Sequence, residues 1–335
     1  MDSFSSQIIA WYAKNCRDLP WRNTKEPYQI WVSEIILQQT RVDQGLPYYF
    51  RFLEKFKNIY ALAAADEDDL LKIWQGLGYY SRARNMHKCA KYIVTHFKGV
   101  FPNTYKDLLC LPGIGPYTAA AIASFCFDEK IAVVDGNVSR LVARYLGILY
   151  PVNEKIGFNL INDYVNESIA NVPAAIFNQA MMEMGAIVCK PKLAKCHLCC
   201  LQQSCFALKN TKVDFLPIKI KKIKPKPRYF HYFILGGELQ YIYKRVGLGI
   251  WEGLYEFSMK ESATNQVLQD GLFLFEIKHI LTHQVIHAKI YQISQSELEN
   301  LKNNLIFEVY FDDLKKYPKH QLMHKIIKKW QELIK

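Results

Sequence analysis

Apolar residues recur at three- and four-residue steps from about residue 5 to residue 209, interrupted by short polar or Gly/Pro stretches. That spacing gives successive helices one apolar face each, and it predicts a mainly α domain over residues 1–211. The pattern changes between 212 and 228, where Lys219, Lys221, Lys222, Lys224, Lys226 and Arg228 are interleaved with Pro217, Pro225 and Pro227. Prolines and like charges both extend a chain, so this stretch is expected to be a basic interdomain linker, either touching a phosphate backbone or simply solvated. Beyond it, residues 229–335 read as an α+β domain. Segments 229–235 and 240–245 flank Gly236-Gly237 as a β-hairpin, 286–293 has the pattern of a strand, and 322–333 is helix-periodic. No internal repeat is found.

Composition narrows the class. A chain of 335 residues that is 50% apolar can bury two cores, and its net charge of +12 attracts a polyanion. No apolar run reaches the roughly 18 residues of a membrane span. Nucleic acid is therefore favoured over an anionic membrane, with basic charge as a mere solubility trait the other reading. The chain opens with no charged and apolar signal segment, so a cytoplasmic location is expected, nucleoid-associated if the source is bacterial.

Nine cysteines are present, and four of them, Cys189, Cys196, Cys199 and Cys205, follow the spacing C-x6-C-x2-C-x5-C. A thiolate quartet in one short stretch can give each iron of a 4Fe-4S cubane one sulfur ligand. Zinc is the alternative, although zinc sites often use two C-x2-C pairs and only one occurs here. Disulfides fit poorly with an odd count and no signal segment. Cys200 falls off the spacing and is expected to be a bystander, while Cys16, Cys89, Cys110 and Cys126 are expected to be small core residues.

Leu111-Pro112-Gly113-Ile114-Gly115-Pro116-Tyr117 is a tight turn leading into a helix that continues to Ile122, with Pro116 suited to its first turn. Gly113 and Gly115 remove side chains where a phosphate can meet backbone N–H groups, giving a DNA-backbone grip without base specificity. A plain αα-corner is the alternative.

Two carboxylates are candidates for chemistry. Glu34 lies in an apolar helix over 28–40 and shares its face with Ile30, Trp31 and Gln38. Burial there raises a carboxyl pKa, as a general acid near neutral pH requires; otherwise Glu34 snorkels to solvent at the edge of the stripe. Asp135 follows Ile131-Ala132-Val133-Val134 and precedes Gly136-Asn137. It is either an ordinary N-cap or an anion stabilising a cationic sugar.

In chain order, the Glu34 helix, the 111–122 turn, Val134-Asp135-Gly136-Asn137 and the four-cysteine loop resemble the endonuclease III, helix-hairpin-helix superfamily of base excision DNA glycosylases, and within it the adenine DNA glycosylases. The resemblance spans nearly the whole chain. It implies a helical glycosylase domain with a 4Fe-4S cluster loop at 189–205, a Nudix-like 8-oxoguanine-recognition domain, and a monomer acting on double-stranded DNA with 8-oxoguanine:A or G:A mispairs. Relatives with lyase activity carry a lysine where this chain has Tyr117, so the likeness implies a monofunctional enzyme that leaves an abasic site. The flipped-out adenine would be protonated at N7 by Glu34, Asp135 would stabilise an oxocarbenium ion, and Asn137 and Tyr117 would support the same centre.

The same likeness assigns Arg17, Leu19, Trp21, Arg22 and Gln179 to the adenine pocket, although a lone Trp such as Trp21 is as often core. In Trp74-Gln75-Gly76-Leu77-Gly78-Tyr79-Tyr80-Ser81-Arg82-Ala83-Arg84-Asn85, Tyr79 matches an intercalating tyrosine and Gln39 its partner. Gly247-Leu248-Gly249-Ile250-Trp251-Glu252-Gly253-Leu254-Tyr255-Glu256-Phe257 is similar to a stretch of the lesion-recognition domain, without the acidic box of a Nudix hydrolase. Where the family has Phe-Ser-His against 8-oxoguanine, this chain has Leu281-Thr282-His283, which keeps a hydroxyl and loses the aromatic. The competing functions are a glycosylase/lyase for oxidised pyrimidines, opposed by Tyr117, and a non-catalytic iron-sulfur DNA-binding protein, opposed by Glu34 and Asp135.

Overall fold

The computed structural model describes residues 4–220, 225–247, 249–268, 271–300 and 306–333. Lys221, Lys222 and Lys224 of the predicted linker, and Leu248, lie outside the described residues. The helices are α1 (Phe4–Asn15), α2 (Pro27–Leu37), α3 (Val42–Lys55), α4 (Ile59–Ala63), α5 (Glu67–Ile73), α6 (Ser81–Phe97), α7 (Tyr105–Leu109), α8 (Pro116–Phe127), α9 (Gly136–Leu146), α10 (Lys155–Ile169), α11 (Ala174–Ile187), α12 (Phe206–Lys209), α13 (Gln295–Asn300) and α14 (Gln321–Leu333). The strands are β1 (Lys226–Leu235), β2 (Leu239–Lys244), β3 (Tyr255–Ser262), β4 (Leu272–Ile280), β5 (Gln284–Ile293) and β6 (Ile306–Tyr310). By compactness the chain forms two units: Met1–Arg41 with Cys89–Lys221, and Val42–Lys88 with Lys222–Lys335.

The first unit is helical, as its three-to-four spacing predicts. One core gathers Ile8 from α1, Val138, Leu141 and Val142 from α9, Ile161 and Val165 from α10, and Phe177, Met181 and Met184 from α11. A second, formed by Ile30, Ala120, Ala121, Phe125 and Val133, packs α2 against α8. Ile30 through Ile36 are all buried, so α2 is enclosed on every side and any polar group it carries is desolvated. The turn between α7 and α8 needs a left-handed residue, and Gly113 supplies it at φ +75°, a conformation that costs other residues strain. Residues 131–134 form no strand: Asn166 Oδ1 accepts from Ala132 N at 2.9 Å and Asn178 Oδ1 from Val133 N at 3.1 Å, so side chains replace a sheet ladder. Part of the predicted linker lies along this unit, with Arg144 Nε donating to Leu216 O at 2.9 Å and Val152 N to Ile218 O at 3.0 Å. Lys226 to Arg228 are the first residues of β1.

The second unit contains a six-stranded mixed sheet in the order β4-β5-β1-β3-β2-β6, with β1 parallel to β5 and the other pairs antiparallel. The strands at 229–235 and 240–245 exist, but the hairpin does not, because β3 pairs with both and separates them. The amide of buried Gln240 closes the connection instead, accepting from Leu235 N and donating to Leu235 O and Gly237 O. The expected strand at 286–293 lies within β5, and the expected helix at 322–333 is α14, which buries Leu322, Met323, Ile326 and Trp330 on one face. Cys89 is buried and Cys126 partly so, whereas Cys16 and Cys110 are exposed, each lying just beyond the last residue of its helix, α1 and α7.

Candidate active site

Glu34 is 7% exposed on α2, and its Oε2 accepts a 2.8 Å hydrogen bond from Tyr117 Oη at the start of α8. It does not snorkel. Burial is the largest influence on it and outweighs that hydrogen bond, so the carboxyl is pushed up from 4.5 to about 7, with nearby Asp135 adding to the rise. Burial likewise drives the Tyr117 phenol well above its ordinary value, aided by Glu34 and Asp135, so Tyr117 keeps its proton and donates it.

Asp135 is the N-cap of α9. Its Oδ1 accepts from Asn137 N and Val138 N, both at 2.8 Å, and its Oδ2 from Asn137 Nδ2 at 2.7 Å. Burial raises its pKa, and these three bonds with Arg140 oppose the rise by stabilising the anion. The N-cap reading of this residue is what the structure shows, and the same bonds fix its carboxyl close enough to Glu34 to act on it electrostatically. Arg140 continues the support, donating from Nη2 to Asn137 Oδ1 and Gly185 O at 2.8 Å each and from Nε to Cys189 O at 2.7 Å. Gly185 must lack a side chain, since a Cβ there would stand 2.6 Å from Asn137 Cβ.

Arg17, Arg22 and Gln179 cluster around two residues that the sequence reading missed. Glu183, fully buried, accepts from Arg17 Nε at 2.7 Å, Arg17 Nη2 at 2.7 Å and Arg22 Nη2 at 2.7 Å. Burial pushes its pKa up, but the arginines outweigh it and bring the carboxyl down to about 2. Tyr12 donates to Gln179 Oε1 at 2.9 Å and carries Arg22 over its ring at 5.5 Å. The available signal for Glu183 was its place one helical turn after Gln179 on α11; nothing local marks Tyr12. Leu19 and Trp21 are buried. Glu183→Ala, which strands two guanidinium groups, is expected to destabilise the fold by about 3 kcal/mol, at the low end for a broken buried pair because Arg17 is partly exposed. Urea denaturation at neutral pH checks this, and a change below about 1 kcal/mol would contradict the buried triad. The depressed carboxyl stabilises the fold above its unfolded value near 4.5, so that contribution fades on acidification from there toward pH 2.

Cys189, Cys196, Cys199 and Cys205 line a single cavity, which Cys200 does not, together with Leu141, Arg144, Leu201 and Gln202. Among the described residues no three His, Cys, Asp or Glu side chains converge on the position of one metal ion. The donor set fits an anionic cluster: four thiols share one pocket, and Arg144 Nη1 donates to Cys189 Sγ at 3.4 Å and to Lys190 O at 2.7 Å. Arg140 and Arg144 escaped the sequence reading, although they lie one turn apart on α9. In the loop, Lys192 and Lys195 are exposed and Lys190 partly so.

Gly115 is the N-cap of α8, with open space where a side chain would stand. Gln39, just after α2, is exposed and left-handed at φ +58°. In the second unit Tyr79 is also left-handed, φ +47°, and 42% exposed, so a strained backbone presents an aromatic ring to solvent. Its hydroxyl hydrogen-bonds to Thr282 Oγ1, and Arg82 lies over its ring at 5.7 Å. Thr282 and His283 sit in the turn between β4 and β5 and line a cavity of about 420 Å³ with Tyr79, Ile250, Trp251 and His279.

Three comparisons bear on this chain. The family description "HhH-GPD superfamily base excision DNA repair protein" matches residues 32–156, the stretch that holds Glu34, the Gly113/Gly115 turn and Asp135. An adenine DNA glycosylase of Buchnera aphidicola subsp. Baizongia pistaciae is 38% identical over 265 residues, covering 76% of this chain and 73% of that protein. One from Buchnera aphidicola subsp. Schizaphis graminum is 41% identical over 260 residues, covering 76% and 74%. Among solved structures, a thermostable thymine-DNA glycosylase overlaps with a TM-score of 0.57 at 29% identity, over 62% of this chain and 95% of its own.

Proposed function

The chain belongs to the adenine DNA glycosylases of the HhH-GPD base excision repair superfamily, and from that membership we propose that it removes adenine mispaired with 8-oxoguanine or guanine in double-stranded DNA by hydrolysis alone. It is a DNA glycosylase that hydrolyses the N-glycosidic bond of adenine. The observation that carries the reading is the pairing of two carboxyls in different settings: Glu34, pushed up by burial to about 7, and Asp135, whose burial also raises its pKa but whose oxygens accept three hydrogen bonds that favour the anion.

Adenine is a poor leaving group until it is protonated. Glu34 delivers its proton to N7 of the flipped-out base, the electrons of the C1′–N9 bond leave with adenine, and the sugar becomes oxocarbenium-like. Asp135 stabilises that cation, its position fixed by Asn137 and Arg140. Water then adds to C1′ and its proton returns to the Glu34 carboxylate that the first step left ionised, leaving an abasic site. Tyr117 stands where a Schiff-base lysine would be needed for strand cleavage and instead orients Glu34. Arg17, Leu19, Trp21, Arg22 and Gln179 form the adenine pocket. Gly113 and Gly115 grip the phosphate backbone, and Tyr79 with Gln39 enter the duplex around the mispair. Thr282 and His283, in a Nudix-like domain, face 8-oxoguanine. Cys189, Cys196, Cys199 and Cys205 would hold a 4Fe-4S cluster, which when bound orders a loop that carries lysines to phosphate and takes no part in bond cleavage.

Single-turnover rates on duplexes with adenine opposite 8-oxoguanine, guanine, thymine or cytosine test the reading: 8-oxoguanine first and guanine second is expected, and equal rates on all four would overturn it. The same assay from pH 5 to 9 should show release falling as Glu34 ionises above about pH 7. Tyr117→Phe removes a bond that favours the anion, so the falling limb is expected to move to higher pH; an unmoved limb would detach Tyr117 from Glu34.

A further inference from the structure

Tyr79 closes a turn with three left-handed positions: Gly76 at φ +104°, Gly78 at +72° and Tyr79 itself at +47°. Glycine adopts that conformation freely, but in an aromatic residue it is strained and persists only where surrounding contacts over-determine the backbone. Those contacts come from two stretches of the second unit that are far apart in sequence. Within the first stretch, Tyr48 Oη donates to Gln75 O at 3.0 Å, and Trp74 Nε1 and Arg82 Nη2 donate to Gly78 O at 3.1 and 3.2 Å. In the other, Lys319, two residues before α14, brackets the turn with its own backbone: its N–H donates to Gln75 Oε1 at 3.2 Å, and its carbonyl accepts from Tyr80 Oη at 3.2 Å. The amide of Gln75 is thereby oriented, and its Nε2 donates to His324 Nε2 on α14 at 2.6 Å. Lys319 is itself fixed, because its buried Nζ donates to Leu314 O and to Tyr317 O, the latter at 2.8 Å. Gln75 and Tyr80 thus flank the turn and fasten both of its ends to one residue.

A ring that enters a base stack must offset the stacking it breaks, and insertion is weakened further if the turn carrying the ring has to be ordered at the same moment. A strained turn held rigid beforehand avoids that second cost. We propose that Gln75 and Tyr80 are positioning residues for the reaction: by clamping the N–H and C=O of Lys319 they hold the 76–79 turn in the conformation that presents the Tyr79 ring. The segment before α14 then serves as the rear support of the wedge. The inference rests on the reading of Tyr79 as a residue that enters the duplex beside the mispair. Gln75 and Tyr80 act through the backbone on either side of Tyr79, so losing their bonds slows opening of the stack and leaves the chemistry of Glu34 and Asp135 as it is.

The test reads the stack directly, with the full chain and a duplex whose target adenosine carries a 2′-fluorine, which disfavours the oxocarbenium-like sugar and stops the reaction before cleavage. 2-Aminopurine placed on either side of the 8-oxoguanine brightens when an inserted ring parts it from its neighbour. Gln75→Leu and Tyr80→Phe each remove a bond to Lys319 at nearly constant volume, and each is expected to slow the brightening about tenfold, the effect of one net hydrogen bond. Single-turnover release of unmodified adenine should fall with it, while the falling pH limb set by Glu34 stays where it is. Gln75→Glu, which keeps an acceptor for Lys319 N, should brighten close to the wild-type rate. Tyr79→Ala should not brighten, and adding Gln75→Leu to it should lower release no further. Wild-type brightening in Gln75→Leu or in Tyr80→Phe, no recovery in Gln75→Glu, or the same loss of release from Gln75→Leu with and without the Tyr79 ring would each overturn the assignment. Tyr80→Phe removes a single oxygen and decides the matter if Gln75→Leu does not fold. Brightening that survives in Tyr79→Ala would instead remove the wedge reading on which the assignment stands.

Discussion

Glu34→Gln is expected to lower adenine release by 10²- to 10⁴-fold, the usual contribution of a positioned general acid, while duplex binding is kept. Glutamine matches the carboxyl in shape and still accepts from Tyr117 Oη, so the pocket is not rebuilt. The same substitution should stabilise the fold. A buried carboxyl whose pKa is raised from 4.5 to about 7 supports folding fully only below its unfolded value, and the support is lost as pH rises through the folded one. At pH 8 the wild type therefore carries a penalty of up to about 3 kcal/mol that glutamine lacks. Urea denaturation of both proteins at pH 8 and pH 5 reads this out: the gain is expected at pH 8 and should shrink at pH 5. A variant that is inactive because it is unfolded would contradict the account.

Asp135→Asn is expected to cost at least 10²-fold in release, because it removes the charge that faces the developing cation. Asparagine is as good an N-cap as aspartate and can still accept from Asn137 N and Val138 N, so stability should change by no more than about 1 kcal/mol. The two readouts separate chemistry from capping. A large loss of stability with activity retained would make Asp135 only a cap.

Chemistry was more legible in the sequence than topology. Glu34 announced itself because a carboxylate inside an apolar helix is costly, and α2 proves buried on every side. The turn at Gly113 and Gly115 and the helix start at Asp135 rest on local rules of backbone and capping, and both fall where those rules put them. The Gly236-Gly237 hairpin failed because pairing is not local: β3, some twenty residues later, takes the place between β1 and β2. Glu183, Tyr12 and Arg140 acquire their partners only through folding. Arg17 and Glu183, for instance, meet across a separation of 166 residues that no window along the chain can bridge. Exposed Cys16 and Cys110 show the same limit, since neighbouring apolar residues do not say which side of a helix end faces water.

The central claim is hydrolytic removal of adenine through Glu34 and Asp135 with no lysine attached to the sugar. It is tested most directly by incubating the protein with an end-labelled duplex bearing one adenine opposite 8-oxoguanine, then resolving the strands with and without hot alkali. Breaks at the adenine position only after alkali are predicted, and their loss in Glu34→Gln. Breaks without alkali would reveal a lyase, and no breaks under either condition would contradict the account as a whole.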